Sequence, residues 1–322
     1  MSKIEVVGLG ALNMDYLYRV ERILEDGETI LKESRLFPGG SAANTLYGLA
    51  RLGVSTGFVG VVGNDDDGKA LIKDFQQVGV DTSQIRVKAG AKTGSVLCIS
   101  DSSDKRSLYV SPGANNLLTD DDISLTYVNQ AKLLHISSFA DDRQFKVLLE
   151  LAERLSTTAS FAPGALYTNR GLEALAPILR RTYVLFLNRQ EIEQLTGQDI
   201  GTGAETCLKR GCRVVAVTLG KGTRLKMGNR TTTAVAYIKD ARNEYVIEPG
   251  NDATPVVDTT GAGDAFAAGF LYGLLKEKGL EECGRLGNMV AQFSIREVGA
   301  RAGLPTLDEL AQRYRALYGQ DL

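Results

Sequence analysis

A regular alternation of short apolar runs with amphipathic stretches through the middle of the 322-residue chain constrains its fold more than any other feature. The apolar runs predict strands, and the stretches between them have the spacing of helices. The predicted elements, in order, are a strand at 133–137, a helix at 144–156, a strand at 158–161, a helix at 172–179, a strand at 184–187 and a helix that starts at 191. Because strands that alternate with helices pair in parallel, the pattern predicts an α/β fold with a doubly wound, mostly parallel sheet flanked by helices.

The same pattern extends toward both ends of the chain. Residues 4–12 form an apolar run that predicts a buried parallel strand ending in glycines. Further predicted elements are strands at 56–62 and 214–219, paired strands at 224–243, and helices at 68–78, 283–298 and 307–318. The sequence contains no internal repeat or low-complexity tract, and its length fits one large α/β unit, so we expect a single domain over residues 1–322.

Two segments of mixed polarity, at about residues 15–37 and 92–112, interrupt the alternation. Turn-forming residues at 25–27 and 101–104 divide each segment into two extended halves. Mixed polarity suits antiparallel strands that water wets on one face, so the segments predict a small sheet inserted in the α/β core and projecting from it. The exposed edges of such a sheet can pair between subunits, and we therefore expect a homodimer through it.

Charge and composition exclude several classes of function. A net charge of −2 provides no basic footprint for nucleic acid or for a membrane surface. No apolar run reaches the roughly 18 residues that a membrane span needs, and the chain starts as a strand rather than as a targeting signal. The four cysteines form no Cys-x-x-Cys pair and there is one histidine, which argues against a zinc site and fits a reduced, cytoplasmic compartment.

The stretch from Val256 to Leu271 combines a glycine turn with the start of an apolar helix. Gly261 and Gly263 let a ligand approach the backbone, and the helix N-terminus offers unpaired N–H groups and partial positive charge to a phosphate. Asp264 lies at the same place. Since a carboxylate repels phosphate, we interpret Asp264 as a base that takes a proton from a hydroxyl. The structural alternative is a glycine turn before a buried helix.

Polar residues after the first strand mark a second candidate site. Asn13 and Asp15 stand where ligands bind in open α/β sheets, and an Asx turn is the structural alternative. Gly8 and Gly10 suggest a dinucleotide fingerprint, but Asn13 occupies the position of the third glycine and no helical pattern follows. The sequence therefore argues against a nicotinamide-dependent oxidoreductase.

Two helix starts carry similar signals. Gly39 and Gly40 precede a predicted helix and allow close approach of a ligand, whereas the structural alternative is a loop with Ser41 as the helix cap. Asn188 and Glu191, three residues apart after a strand, can share one helix face or form a capping box.

These stretches resemble the motifs of the ribokinase-like (PfkB) family of sugar and nucleoside kinases. Residues 258–266, Asp-Thr-Thr-Gly-Ala-Gly-Asp-Ala-Phe, are similar to its C-terminal signature without a gap, and residues 39–44 fit its N-terminal Gly-Gly-x-x-x-Asn. Asn-x-Asp, Asn-x-x-Glu and Thr-x-Gly motifs begin at positions 13, 188 and 218. The resemblance extends from Ile4 to about Gly303 and implies that the projecting sheet is a lid over the substrate.

The resemblance assigns a role to each motif. Asp264 is the implied catalytic base, and the backbone of Gly261, Ala262 and Gly263 is the implied anion hole. Residues implied to bind the acceptor are Asn13, Asp15, Gly39, Gly40 and Asn44, and those implied to bind the nucleotide are Asn188, Thr218, Gly220, Gly222 and Asn288. Implied metal sites are Glu191, for Mg²⁺ through water, and the backbone of Asp258 and Thr260, for a monovalent cation such as K⁺.

The expected function is that of an ATP- and Mg²⁺-dependent kinase. We expect it to transfer a phosphoryl group in line to a hydroxyl of a small sugar, and we expect that hydroxyl to be a primary one. The alternatives are a nucleoside kinase of the adenosine or cytidine type and a non-catalytic protein that binds a sugar or nucleotide. Two departures from the family pattern leave the acceptor open: Ser41 stands where ribokinases carry Lys, and Ala162 stands where Asp is common. A third departure concerns the nucleotide segment, where Thr223 stands in the position of the second glycine and Gly222 can take its place.

Four further features have structural interpretations. Asp65–Asp67 predicts a solvated turn rather than a metal site, because adjacent carboxylates in a loop point apart. His135 lies within an apolar strand and is interpreted as structural. Arg106 is interpreted as an exposed charge on an edge strand, although it could reach into the site. Lys221 could contact phosphate or be a surface charge.

Overall fold

The computed structural model describes residues 3–102, 106–227, 230–250 and 255–322. Thirteen strands occur within them: β1 (Val6–Leu9), β2 (Asn13–Arg19), β3 (Glu33–Gly39), β4 (Thr56–Gly63), β5 (Asp81–Lys88), β6 (Gly94–Ser100), β7 (Arg106–Ser111), β8 (Leu133–Ser137), β9 (Thr158–Ala162), β10 (Thr182–Asn188), β11 (Val214–Met227), β12 (Arg230–Asp240) and β13 (Glu244–Ile247). The α-helices of the same residues are α1 (Ser41–Arg51), α2 (Asp66–Gln77), α3 (Leu125–Gln130), α4 (Asp142–Arg154), α5 (Gly164–Thr168), α6 (Gly171–Leu179), α7 (Arg189–Thr196), α8 (Ile200–Lys209), α9 (Ala262–Leu275), α10 (Leu280–Ser294) and α11 (Leu307–Tyr318). The predicted turn at 103–104 lies outside the described residues, as does the side chain of Arg106.

Nine strands form the central sheet in the order β13-β12-β11-β10-β9-β8-β1-β4-β5. All neighbours from β11 to β5 run parallel, and β12 and β13 add antiparallel strands at one edge. Every residue of β1, β4 and β8 is buried, which explains why these strands read as continuous apolar runs. The predicted doubly wound, mostly parallel sheet is confirmed.

Helices cover both faces of this sheet. Alternate residues of one strand enter different apolar clusters: Val184 belongs to the cluster that contains Phe266 of α9, and Leu185 to the cluster that contains Leu148 of α4. This two-residue period places α1 and α9 on one face and α4 and α7 on the other. Among the described helices, none is both long enough and apolar enough to span a bilayer.

A second sheet of four strands, ordered β3-β2-β6-β7, is the predicted small projecting sheet and is here called the lid. The antiparallel pairs β2–β3 and β6–β7 confirm the two predicted hairpins. The pairing of β2 with β6 is parallel, which the sequence did not indicate, since these strands are separated by β4 and β5. Asn13 therefore begins a lid strand and does not end a core strand.

Some elements were missed because their local patterns are weak. β5 buries only Ile85 among its eight residues, so it lacks an apolar run. Helix α8 contains two glycines, which lower helix propensity, and its N-terminus depends on Asp199, whose carboxylate accepts from the N–H groups of Gly201 and Thr202.

The three adjacent aspartates are not a solvated turn. Asp65 caps α2 by accepting from the Gly68 N–H at 3.0 Å, and it also accepts from the N–H of Thr93 at 2.8 Å and from the Thr93 hydroxyl. Asp67 accepts from the Tyr16 hydroxyl of β2 at 2.6 Å. Only Asp66 is exposed as predicted. The prediction of a solvated turn fails for a physical reason. The N–H groups at the start of α2 and the donor groups at the root of the lid both require hydrogen-bond acceptors here.

His135 is inside the core, as predicted. It is fully buried, and its Nδ1 lies 2.9 Å from the Ser160 hydroxyl on β9. Burial lowers the pKa of His135 to about 3, so the ring is neutral at physiological pH.

Candidate active site

The turn before α9 is held in place by Asp258. Its carboxylate accepts from the N–H and hydroxyl of Thr260 at 2.9 and 2.7 Å, and from the N–H of Gly299 at 2.9 Å. Gly261 caps α9 with φ of 73°, and a Cβ there would lie 2.5 Å from that of Ala300. Only glycine satisfies both the left-handed backbone and this close approach.

The helix N-terminus at this turn presents Gly263 to solvent. The N–H of Ala262 already donates to the Thr259 carbonyl at 3.2 Å, so it is a weaker candidate for holding an anion. Gly263 is exposed, and a Cβ on it would meet nothing within 4 Å. Together with the dipole of α9, this makes the Gly263 backbone the most accessible part of the predicted anion hole.

Asp264 lies in the first turn of α9, facing the start of α1. Its two carboxylate oxygens accept from the Ser41 hydroxyl at 2.7 Å and from the Asn44 amide at 2.9 Å. Ser41 is therefore not the helix cap that the sequence offered as an alternative; Gly40 takes that position without a side-chain bond. Burial raises the pKa of Asp264 to about 6, and the bonds from Asn44 and Ser41 oppose the increase.

Arg301 supports Asn44 from behind. The buried guanidinium donates to Asn44 Oδ1 at 2.9 Å, to the Gly39 carbonyl at 3.2 Å and to Asp74 at 2.6 Å. Because the Asn44 oxygen accepts from Arg301, its amide nitrogen must face Asp264. No local pattern in the sequence indicated a role for Arg301. Gly39 and Asn44 are both buried here, and their expected contact with an acceptor remains a prediction.

Asp15 has one of the buried side-chain oxygens that are left without a hydrogen-bond partner among the described residues, its Oδ1. A Cβ on Gly39 would lie 2.4 Å from this carboxylate, so glycine is needed opposite it. Burial raises the pKa of Asp15 to about 7; the charge of Arg301 opposes this shift and that of Asp264 adds to it. An unpartnered buried oxygen indicates a missing hydroxyl donor.

Asn13 is fixed by Asn115, another residue whose role the sequence did not reveal. Asn115 exchanges two bonds with the Leu12 backbone, at 3.0 and 3.1 Å, and donates to Asn13 Oδ1 at 2.9 Å. The Asn13 side chain is thus oriented by the segment that returns from the lid to the core. The Asx turn, which was the structural alternative, does not form, because Asn13 begins strand β2.

A cavity of about 320 Å³, here called the lid cavity, separates the lid from the turn before α9. It is lined by Asp15, Leu17, Phe37, Val96, Cys98, Leu108, Asp258, Thr259, Thr260, Gly261, Gly299 and Ala300. A second cavity of about 500 Å³, the distal cavity, lies on the other side of the same turn. Its lining includes Thr218, Gly220, Lys221, Thr259, Ala262, Gly263 and Asn288.

A narrow space continues from the distal cavity to Asp264. It brings together Ser41, Asn188, Glu191, Thr218, Gly263 and Asp264. Asn188 and Glu191 form the capping box that was their structural alternative, with reciprocal bonds of 2.8 Å, and they line this space as well. Burial raises the pKa of Glu191, and the hydrogen bond from the Asn188 N–H opposes this increase.

Gly222 is the predicted nucleotide residue that lines none of these spaces. It has φ of 108°, and a Cβ there would lie 2.8 Å from the Thr233 side chain on β12. Its geometry fits the β11–β12 pairing, where the register shifts between Thr218 and Thr223. Lys221, by contrast, lines the distal cavity.

The lid cavity and the distal cavity lie on either side of the turn before α9, and Asp264 lies in the first turn of that helix. This arrangement suits a phosphotransferase with an alcohol group as acceptor. The chain belongs to the pfkB family of carbohydrate kinases, whose sequence profile matches residues 1–307. It is 40% identical over 262 residues to an uncharacterized sugar kinase from Archaeoglobus fulgidus, covering 80% of this chain and 98% of that one. It is 30% identical to an ATP-dependent ribose-1-phosphate kinase from Halopiger xanaduensis, covering 96% and 97% of the two chains.

The fold comparison agrees. The structure of Arabidopsis thaliana ribokinase in complex with ribose and ATP superposes with a TM-score of 0.82 at 25% identity, covering 96% of this chain and 98% of that chain. The predicted family is therefore confirmed over nearly the whole chain.

Proposed function

We propose that this protein transfers the γ-phosphoryl group of ATP to a primary hydroxyl of a sugar unit, with Asp264 as the general base. The observation that carries the proposal is the position of Asp264 in the first turn of α9, where it lines a narrow space that shares Thr218 and Gly263 with the distal cavity. The turn that precedes this helix lines both the distal cavity and the lid cavity. The same chemistry applies to the ribose of a nucleoside.

The residues around Asp264 support its role as a proton acceptor. A pKa of about 6 leaves the carboxylate ionised at neutral pH and still basic enough to take a proton from a hydroxyl during attack. Ser41 and Asn44 hold its two oxygens, which fixes the direction in which the remaining lone pairs point. The unpartnered Asp15 oxygen, on the lid side, suits a sugar hydroxyl that orients the acceptor.

The distal cavity fits a nucleotide. Gly263 opens the α9 N-terminus toward it, which suits the phosphates, and Asn288 lines its far side, where the base would lie. Among the described residues there is no cluster of three or more potential metal ligands. Glu191 lines the narrow space beside Asp264 and would hold Mg²⁺ there through water. The metal would supply charge neutralisation at the phosphates.

Two further properties belong to the proposal. The Asp258 tether orders the backbone of Asp258 and Thr260, which supports their carbonyls as ligands of a monovalent cation such as K⁺. The outer face of the lid exposes Leu36 and Tyr109, each more than half exposed, which supports pairing of the lid with that of a second copy.

Replacement of the base tests the central claim. In an assay of ADP release across sugars and nucleosides, we expect Asp264→Asn to lower kcat by roughly 10²–10⁴, the usual contribution of a general base. Calorimetry should show ATP binding unchanged, since the backbone groups of α9 are retained. Asp66→Asn, at an exposed residue, is the matched control. Turnover of Asp264→Asn close to that of the parent would exclude the assigned role, and no ADP release with any acceptor would favour a non-catalytic binding protein.

A further inference from the structure

The inner face of the lid changes from polar to apolar along its strands. The register pairs Asn13 with Gly39 and Gly94 at the root, and Asp15 with Phe37 and Val96 one step further. The next step outward pairs Leu17 with Cys98, which is itself paired with Leu108. Since alternate residues of a strand share a face, these side chains form one surface. We call Leu17, Phe37, Val96, Cys98 and Leu108 the apolar wall; all five line the lid cavity.

The apolar wall does not suit a free sugar. A monosaccharide carries hydroxyls on nearly every carbon, and a hydroxyl buried without a partner costs roughly 1–3 kcal/mol by mutational measures. At the polar end, Asp15 offers an unpartnered oxygen to such a hydroxyl. The five side chains beyond it offer no oxygen or nitrogen. The part of the ligand next to them must therefore be apolar on its faces.

A planar heterocycle meets this requirement. Phe37 is partly buried, and its ring packs on the core at Gly299, where a Cβ would lie 2.6 Å from the ring. The aromatic ring is thus held in place before a ligand arrives. Aromatic rings interact favourably with nucleobases of any identity, because every base has a π-face. The cavity volume of about 320 Å³ lies at the lower end of the roughly 300–1,000 Å³ range of drug-sized pockets.

The charge of the lid cavity argues against a phosphorylated sugar. Its charged lining residues are Asp15 and Asp258, and no Lys or Arg is among the described residues that line it. Arg35, on the same lid face, lies outside the lining and is paired with Glu33. A phosphate would therefore meet two carboxylates, and the cation whose charge acts on Asp15, Arg301, is buried and already paired with Asp74.

We propose that the acceptor is a nucleoside, with its ribose at Asp15 and its base against the apolar wall. The proposal rests on the kinase function proposed for Asp264 and names the acceptor class of that site. The base supplies apolar contact area, while the ribose presents its primary hydroxyl toward the turn before α9.

The first test compares acceptors with the unmodified protein. We expect kcat/KM for inosine, adenosine or cytidine to exceed that for ribose by at least roughly 10-fold, in line with the contribution of one base–aromatic contact. Ribose 1-phosphate should be a poor acceptor. If ribose or ribose 1-phosphate has the highest kcat/KM, the proposal is wrong.

The second test uses matched lid variants. Phe37→Ala should raise KM for the preferred nucleoside by roughly 10- to 100-fold more than it raises KM for ribose. Leu17→Ala should act in the same direction with less effect. Leu36→Ala, on the outer face of the same sheet, is the control and should change neither KM. Equal effects of Phe37→Ala on nucleoside and ribose would overturn the role of the wall.

Calorimetry tests the nucleoside proposal separately from the proposed kinase activity. Binding of inosine and of ribose can be measured on the unmodified protein even if no acceptor is phosphorylated. Tighter binding of inosine, lost in Phe37→Ala, would support the nucleoside assignment while the kinase proposal fails. Tighter binding of ribose would overturn the assignment whatever the outcome of the activity assay.

Discussion

At the scale of single residues, Asp264 is held between opposing effects. Burial disfavours its charge, whereas the hydrogen bonds from Asn44 and Ser41 and the positive charge of Arg301 favour it. The balance gives a pKa of about 6, which is high for an aspartate. As a result, Asp264 is a stronger base than an ordinary aspartate and is still ionised at neutral pH. This balance depends on side chains from three separate parts of the chain.

The pH dependence of kcat should report this balance. Since Asp264 must be ionised to accept a proton, activity should rise with pH through about 6 and level off above it. Ser41→Ala removes a bond that lowers the pKa of Asp264, so the rising limb should move to higher pH while kcat at pH 8 stays close to that of the parent. Ser83→Ala, at an exposed serine on β5, is the control. A limb that moves to lower pH would contradict this account.

Arg301 should act as a positioning residue. Its guanidinium reaches Asn44, Gly39 and Asp74 at once, and a lysine ammonium cannot bridge the three in this geometry. We expect Arg301→Lys to lower kcat by roughly 10- to 100-fold through misplacement of Asn44 and Asp264, with KM for ATP unchanged. Because the charge is retained, the pH limb should stay near 6.

A comparison with Arg301→Met isolates the two effects. This variant loses the charge as well, so its pH limb should move upward, and it should be less stable, because Asp74 keeps its charge without a partner. Thermal unfolding of both variants controls for misfolding. Parent-like kcat in Arg301→Lys would show that the buried guanidinium is only structural.

The sequence reveals some of these residues and not others for a physical reason. Asp264 and its glycines form a local pattern, since a helix N-terminus and its first-turn carboxylate are adjacent in the chain. Arg301 and Asn44 are 257 positions apart and meet only through the packing of α1 beside α9. Asn115 similarly reaches Asn13 across 102 positions. No spacing within one segment encodes such contacts.

At the scale of elements, burial decides what the sequence predicts. β1, β4 and β8 are buried throughout and are recognisable as apolar runs, whereas β5 lies at the sheet edge with one buried residue. The lid hairpins follow from their turns, but the parallel pairing of β2 with β6 does not, because register between distant strands is set by the assembled fold.

The root of the lid depends on the contact between α2 and β6. Asp65 accepts from both Thr93 groups and from Gly68, and although burial opposes them, these bonds hold the pKa of Asp65 below its usual value. Asp65→Asn should lower the free energy of unfolding by about 1–2 kcal/mol at pH 7. A lowered folded-state pKa contributes stability above the unfolded-state pKa and loses it as pH falls through the folded-state value.

The difference from the parent should therefore shrink as the pH falls toward the folded-state pKa of Asp65. Urea denaturation at pH 7 and at pH 3 measures this, and Asp66→Asn is the matched control, because Asp66 is exposed on the same helix. A constant difference at both pH values would show that the charge of Asp65 is not the cause.

At the scale of the whole molecule, the lid leaves apolar residues uncovered. Leu36 and Tyr109 are 53% and 58% exposed on its outer face, on the two edge strands of the sheet. Exposed edges with apolar side chains are suited to pairing with another copy. We expect a homodimer by light scattering coupled to size exclusion, and Tyr109→Lys should shift it toward monomer by adding a charge at the interface. Monomeric parent protein at micromolar concentration would contradict this.

The turn from Thr259 to Gly263 bounds both the lid cavity and the distal cavity, and this turn belongs to the core. The apolar wall, by contrast, belongs to the lid. Under the proposed function, donor handling and acceptor choice would therefore depend on separate sheets that meet at a single backbone segment. We expect mutations on the inner face of the lid to change which alcohol is phosphorylated without changing the proton transfer to Asp264.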